Sequence, residues 1–176
     1  MNKKTGIFYG PAKGSNTEKV AHKVARAIGM DQVDLIEVKE ATAEDLKKYD
    51  RLIFGVSTIG KETWDGYASR GDWDKFRLEL DKADLKDKTV AMFCLGDHVT
   101  YPRHFVDALG MIYEILQDKN VRIIGHVDPS DYEFEESQGI YNGKFVGLPI
   151  DEDFEPERTD ERIKNWIAQI LKEFDQ

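Results

Sequence analysis

The chain has 176 residues and a mass of 20.2 kDa, which fits one domain, and we expect a single domain spanning residues 1–176. With 40% hydrophobic and 34% charged residues it can close a core, which excludes a disordered chain, a collagen and a disulfide scaffold. A net charge of -9 disfavours nucleic acid and anionic membranes as partners and favours basic proteins. The lone Cys94 leaves no internal disulfide, and without a signal peptide or an apolar stretch of membrane-spanning length we expect a cytoplasmic protein.

Short apolar runs alternate with amphipathic stretches along the chain. The apolar runs predict five strands, at residues 5–9, 33–38, 51–55, 89–95 and 122–127. Apolar side chains three and four residues apart predict helices at 17–28 and 43–49, one that begins near residue 72, one lined by Phe105 to Leu116, and one lined by Ile163 to Leu171. Residues 128–142 fit neither pattern, and we expect an excursion near the fifth strand that ends in a turn at Asn142 and Gly143.

This alternation indicates the fold class. Strands without polar alternation, each followed by a helix, predict a parallel sheet covered by helices on both faces. Right-handed crossovers then give an α/β, doubly wound sheet. Such sheets bind ligands outside the carboxyl ends of their strands, where the winding reverses. Three loops occupy that position, at residues 10–16, 56–71 and 96–102.

The first of these loops runs from a strand into the N-terminus of a helix. Backbone N–H groups and the helix dipole favour an anion there, and Ser15, Asn16 and Thr17 add polar side chains. The loop matches neither the Walker A pattern nor G-x-G-x-x-G. Two interpretations remain open: a phosphate-binding loop, and a capped helix behind a tight turn.

The other two loops carry aromatic residues among glycines. Trp64 in the second loop can offer a stacking surface to a planar ligand or pin the loop to the sheet edge. In the third loop, Tyr101 offers a second ring and Asp97 an acceptor, although a loop tyrosine more often serves packing. An anion site flanked by two aromatic loops describes a cleft for a planar phosphorylated cofactor.

Other reactive side chains point to no second site. The histidine spacing does not fit a metal centre, and Cys94, inside the fourth strand, is expected to be a small buried side chain. Asp151, Glu152 and Asp153 are expected to form a solvated loop face. We therefore predict neither metal-binding nor catalytic residues.

Residues 96–110 resemble a segment of the flavodoxins that reads G-D-Q-x-x-Y-x-x-x-F-x-D-A-x-G. The matching residues are Gly96, Asp97, Tyr101, Phe105, Asp107, Ala108 and Gly110. Three further stretches resemble the C-terminal third of that family: residues 142–148, 151–153 and 159–166. The excursion resembles the insertion that defines long-chain members. The resemblance covers essentially the whole chain and implies a five-stranded, flavodoxin-like parallel sheet of order 2-1-3-4-5, with helices on both faces and a long-chain insertion near the fifth strand.

The resemblance also implies non-covalent FMN binding and one-electron transfer. It places Tyr101 on the outer face of the flavin ring, Asp97 at its pyrimidine edge and the first loop around the phosphate, while either Ile59 or Trp64 would cover the inner face. The first loop departs from the family pattern [ST]-x-[ST]-G-x-T, because it is one residue longer and has proline and lysine in place of hydroxyl residues. The residues expected to bind the cofactor are Pro11, Ala12, Lys13, Gly14, Ser15, Asn16, Thr17, Ser57, Thr58, Ile59, Gly60, Trp64, Leu95, Gly96, Asp97, Tyr101 and His104.

The main functional hypothesis is a flavodoxin: a low-potential one-electron carrier that shuttles electrons between a reductase and acceptor enzymes and is not itself an enzyme. We expect a monomer on whose acidic surface basic redox partners dock transiently, with no nucleic acid or membrane partner. Two alternatives remain open. One is a binding or regulatory protein of the same fold with weakened FMN binding, and the other is a flavin-dependent reductase of quinones or NAD(P)H.

Overall fold

The architecture is described by a computed structural model, which covers residues 4–58 and 71–176. The strands are β1 (Thr5–Tyr9), β2 (Val33–Glu37), β3 (Arg51–Ser57), β4 (Thr89–Leu95), β5 (Arg122–Ile123), β6 (Ile140–Tyr141), β7 (Lys144–Phe145) and β8 (Leu148–Ile150). The α-helices are α1 (Asn16–Ile28), α2 (Ala43–Lys47), α3 (Asp72–Lys82), α4 (Ala108–Gln117) and α5 (Thr159–Phe174). Short 3-10 turns lie at Pro129–Asp131 and Pro156–Arg158.

The main sheet is parallel and has the order β2-β1-β3-β4-β5, with β8 also pairing with β4. This order and the alternation of strands with helices confirm the expected doubly wound α/β fold. Within the described ranges, no helix is long and apolar enough to cross a membrane.

The strands are apolar on both faces because each face is covered by helices. Ile7 and Phe8 are neighbours in β1, and since successive strand side chains point to opposite faces they enter different cores. The core around Ile7 takes in Trp166 from α5 as well as apolar side chains from α1. The core around Phe8 takes in Leu46 from α2 and Phe76 from α3, together with apolar side chains from α4.

The fifth position of the sheet differs from the sequence prediction. A strand was expected over 122–127, but β5 ends at Ile123. Gly125 has a φ of +77°, which turns the chain out of the sheet, and its carbonyl oxygen accepts the indole N–H of Trp166 at 2.9 Å. Beside the second half of β4, the neighbouring strand is β8 instead, in which Leu148 pairs with Phe93. Two short strands therefore share one place beside β4.

The excursion between β5 and β8 is held by aromatic packing. Phe105 is buried against Tyr132, Phe134 and Phe145, with ring centroids 5.7–6.0 Å apart. The prediction that Phe105 lies on the fourth helix is therefore wrong, because α4 begins three residues later. The excursion ends in the antiparallel β6–β7 hairpin, whose turn has the positive φ angles that the Asn-Gly pair at 142–143 predicts.

Candidate functional site

A cavity of about 250 Å³ lies at the carboxyl edge of the sheet, where the loops after β1, β3 and β4 meet. Its lining residues are Pro11, Ser15, Asn16, Thr17, Ser57, Thr58, Leu95, Gly96, Asp97, Tyr101, Glu152 and Asp153. All but the last two are among the residues predicted to bind the cofactor. The structure thus brings most of the predicted site into one place, while their contacts with a cofactor stay a prediction.

The N-terminus of α1 forms one wall of the cavity. The Ser15 hydroxyl caps the helix by accepting the Glu18 N–H at 3.0 Å, and it donates to the Pro11 carbonyl oxygen at 2.6 Å. Its proton is therefore used within the loop. The N–H groups of Asn16 and Thr17 lie in the first turn, where the helix supplies no carbonyl partner. The helix is capped, as one sequence interpretation expects, and phosphate binding stays a prediction, for which the first turn offers N–H donors.

The remaining residues of the first loop lie further out. Lys13 and Gly14 are exposed and have positive φ angles of +31° and +77°. The Gly14 N–H donates to a carboxylate oxygen of Glu18 at 3.3 Å. Ala12 and Lys13 line a neighbouring, more open cavity of about 760 Å³ beside β2, and Pro11 lines both cavities. Lys13 therefore lines the neighbouring cavity and not the candidate site.

The end of β3 is tied to its neighbours through Thr58. Its N–H donates to the Leu95 carbonyl oxygen at 2.9 Å, and its hydroxyl accepts the Ala108 N–H at 3.2 Å. The same hydroxyl lies 3.4 Å from the Cys94 sulfur. Cys94 is fully buried, which confirms the prediction of a small buried side chain, and this burial raises its pKa to about 12.

Three predicted residues, Ile59, Gly60 and Trp64, lie outside the described residues.

The loop after β4 presents Tyr101 to the cavity. One carboxylate oxygen of Asp97 accepts the N–H groups of Val99 and Thr100 at 3.0 and 2.7 Å, and the Asp97 carbonyl oxygen accepts the Tyr101 N–H at 3.2 Å. Asp97 therefore shapes the loop that carries the ring. His104 does not line this cavity; its Nδ1 lies 3.1 Å from a carboxylate oxygen of Asp107.

The acidic run after β8 is the part of the site that sequence reasoning missed. Asp151 is fully buried, and the Glu152 side chain is only 2% exposed, so the expectation of a solvated face is wrong for both. One Glu152 carboxylate oxygen lies 2.7 Å from the Lys19 ammonium, and the other, Oε1, is buried without a hydrogen-bond partner among the described residues. Burial, and then the carboxylates of Asp151 and Asp97, raise the pKa of Asp153.

The signal that could have found these acids is their position. They follow the carboxyl end of β8 directly, and ligands of parallel sheets bind at that edge. Because β8 has three residues, its apolar pattern is too short to be recognised as a strand.

Comparison with known proteins adds to this geometry. The sequence profile described as Flavodoxin matches residues 7–166. The chain belongs to the flavodoxin family. It is 40% identical over 174 residues to a flavodoxin of a Nostoc species, covering 99% of both chains. It is 39% identical over 170 residues to flavodoxin 1 of Escherichia coli, covering 96% of this chain and 93% of that one.

Comparison with a solved flavodoxin structure shows the same fold. Fusobacterium nucleatum flavodoxin bound to flavin mononucleotide aligns with a TM-score of 0.85 at 27% identity, over 98% of this chain and 99% of that one. The order 2-1-3-4-5 implied by the family resemblance is thus the order found in this chain.

Proposed function

We propose that this member of the flavodoxin family binds FMN non-covalently in the 250 Å³ cavity and carries single electrons between a reductase and acceptor proteins. Family membership and the FMN in the Fusobacterium structure support the choice of cofactor. The observation that carries the proposal is the composition of the cavity, which joins the first turn of α1, the Tyr101 loop and Glu152, one of whose carboxylate oxygens has no hydrogen-bond partner among the described residues.

The buried carboxylate tests whether the residues fit FMN. Glu152 lines the cavity and its buried Oε1 has no hydrogen-bond partner among the described residues, whereas a buried acceptor is normally satisfied. FMN carries a chain of hydroxyl groups between its ring and its phosphate, and such a hydroxyl would supply the missing donor. The N–H groups of Asn16 and Thr17 suit the phosphate, and the positive charge of Lys13 on the same loop would add attraction. The donor set therefore fits the group.

The protein side of the function consists of binding and electrostatics. Bound FMN would supply the one-electron chemistry. Tyr101 would stack on the flavin ring, and Asp97 would hold the loop in the shape that presents it. Asp97, Glu152 and Asp153 place acidic side chains around the cavity, which disfavours the addition of negative charge and favours a low potential.

We propose further that the chain is a carrier rather than an enzyme, works as a monomer in the cytoplasm, and takes no nucleic acid or membrane partner. The net charge of -9 favours basic redox partners that dock transiently. Val99 and Phe154, each about half exposed, add apolar contact area on the two loops that border the cavity. The single, buried Cys94 suits a reducing compartment.

The test is the absorbance spectrum of the purified protein, followed by titration of the stripped apoprotein with FMN and detection by flavin fluorescence. Tight binding with quenched fluorescence is the expected result. A colourless protein that does not respond to FMN would overturn the proposal. Steady-state NAD(P)H oxidation separates a carrier from a reductase, since a carrier alone shows no turnover.

A further inference from the structure

Two walls of the cavity are joined by a pair of side chains that the proposed function has not used. Asp97 and Tyr101 belong to the loop after β4, and Glu152 and Asp153 belong to the turn after β8. Between these segments, the Nδ1 of His98 lies 2.5 Å from Oδ2 of Asp151. The His98 backbone N–H donates to the same oxygen at 3.1 Å. His98 thus makes two contacts across the junction.

The surroundings of Asp151 fix which ring nitrogen of His98 carries a proton. Asp151 is fully buried, and its other oxygen accepts the N–H groups of Asp153 and Phe154 at 2.9 and 2.8 Å. Asp151 thus serves three backbone N–H groups as an acceptor. Against a carboxylate the Nδ1 atom must donate, so Nε2 is the atom that gains a proton when the ring becomes charged.

The charged residues that neighbour His98 and Asp151 along the chain are acidic. Asp97 precedes the histidine on its own loop, and Glu152 and Asp153 follow Asp151 on the opposite turn. The Lys19 ammonium is engaged with Glu152. The remaining walls are the rings of Phe105 and Phe154, whose centroids lie 6.2 and 6.3 Å from the imidazole. The His98 side chain is 14% exposed, so solvent still reaches it to exchange a proton.

We propose that His98 is a positioning residue that ties the Tyr101 loop to the Asp151 turn, and that proton uptake at its Nε2 strengthens this tie and places a positive charge beside the cavity. The inference rests on the proposed function, because its consequence is an affinity for FMN that is greater at acid pH than an uncharged residue would give.

The decisive variant is His98→Asn, because the Asn amide nitrogen takes the place of Nδ1 and cannot acquire the second proton. The experiment measures the FMN dissociation constant of wild type and variant from pH 8 to 5.5. Taking the ratio of the two constants removes the titration of the FMN phosphate itself. We expect the dissociation constant of His98→Asn divided by that of wild type to be near one at pH 8 and to rise to about five at pH 5.5. His98→Ala removes the tie and weakens binding across the whole range.

His22→Asn is the matched control, since His22 lies on α1 against Tyr9 and does not line the cavity. We expect the FMN dissociation constant of His22→Asn divided by that of wild type to stay near one at every pH. The tie is also tested without flavin, because nitrogen NMR of the apoprotein reports which ring nitrogen of neutral His98 is protonated. A proton on Nδ1 is expected, and a proton on Nε2 overturns the inference.

The outcomes separate the two proposals. A wild type that binds no FMN at any pH overturns the proposed function and this inference with it. If wild type binds FMN but the ratio of the two FMN dissociation constants, His98→Asn to wild type, does not change with pH, this inference alone is overturned.

Discussion

The carboxylate of Asp107 accepts the backbone N–H of Gln138 at 2.7 Å, which joins the start of α4 to the excursion. The other carboxylate oxygen lies 3.1 Å from Nδ1 of His104. Asp107 is 2% exposed, and burial raises its pKa above the ordinary value of 3.8. The aspartate that matches the flavodoxin segment thus has a structural task, because it secures a chain that returns from outside the sheet.

Asp107 yields a prediction about stability and pH. Since the pKa in the folded state is raised, the native protein binds the proton more tightly, and the contribution of Asp107 falls as pH rises from 3.8 to that higher pKa. Asp107→Asn keeps an acceptor for Gln138 and removes the ionisation, so its stability at pH 7 should equal or exceed that of wild type. Asp107→Ala leaves the Gln138 N–H unsatisfied and should lose about 1–3 kcal/mol. Urea unfolding at pH 4 and pH 7 measures both, and an Asn variant less stable than the Ala variant would contradict the argument.

Gly110 gives a second prediction about the same contact region. A Cβ added there would lie 2.1 Å from the Gln138 carbonyl oxygen, so backbone must move. We expect Gly110→Ala to lose about 3 kcal/mol of unfolding free energy. Gly143→Ala is the matched control: a Cβ there meets nothing within 4 Å, and only the φ of +76° opposes it, at about 1 kcal/mol. Equal losses in the two variants would show that the approach of Gln138 is not the constraint.

Lys13 allows charge and backbone conformation to be separated. Lys13→Gly and Lys13→Ala both remove the positive charge from the first loop, and each should weaken FMN binding about two- to fivefold at low salt, with less effect at high salt. The φ of +31° favours glycine, so the Gly variant should be the more stable by about 1 kcal/mol. Riboflavin, which lacks the phosphate, provides the comparison for isothermal titration. A similar loss for riboflavin would place the lysine near the ring instead.

Glu152 should have opposite effects on the empty and the loaded protein. Glu152→Leu removes Oε1, a buried oxygen without a partner among the described residues, and we expect the apoprotein to gain about 1 kcal/mol of stability. The same change removes the acceptor proposed for FMN and should weaken binding about tenfold. Lys19→Met is the control, because it leaves the Glu152 carboxylate without its cation and should destabilise the apoprotein. An unchanged FMN affinity in the Leu variant would remove Glu152 from the site.

The sequence predicted the elements whose structure follows from local apolar patterns, above all the central strands of the sheet. The apolar run at 89–95 predicts the bounds of β4 as the structure has them, because a central strand needs apolar residues on both faces. The loops after β1 and β4 were placed at the cavity because their strands could be recognised. Tyr101 and Asp97 were therefore found without knowledge of the three-dimensional structure.

The predictions failed for elements whose bounds or burial depend on contacts with residues distant in the chain. Phe105 has the spacing of a helical residue, but its partners Tyr132 and Phe145 lie further along the chain and hold it outside α4. The fifth strand ends early because Gly125 is fixed by Trp166, 41 residues away. Glu152 was assigned to solvent because the short strand before it gives no periodic pattern. Each of these contacts depends on tertiary packing, which local spacing does not encode.

The two short strands that share the fifth position of the sheet, β5 and β8, keep the same alternation of side chains between the two faces. Continuing the β5 register would place His126 opposite Phe93, and Leu148 stands there instead, 22 residues further on. Because that number is even, Ile124 and Leu148 enter the same core, whereas an odd number would send the side chains of β8 to the wrong face. Removal of the 22 residues 126–147 would therefore keep the alternation of side chains between the two cores across the junction.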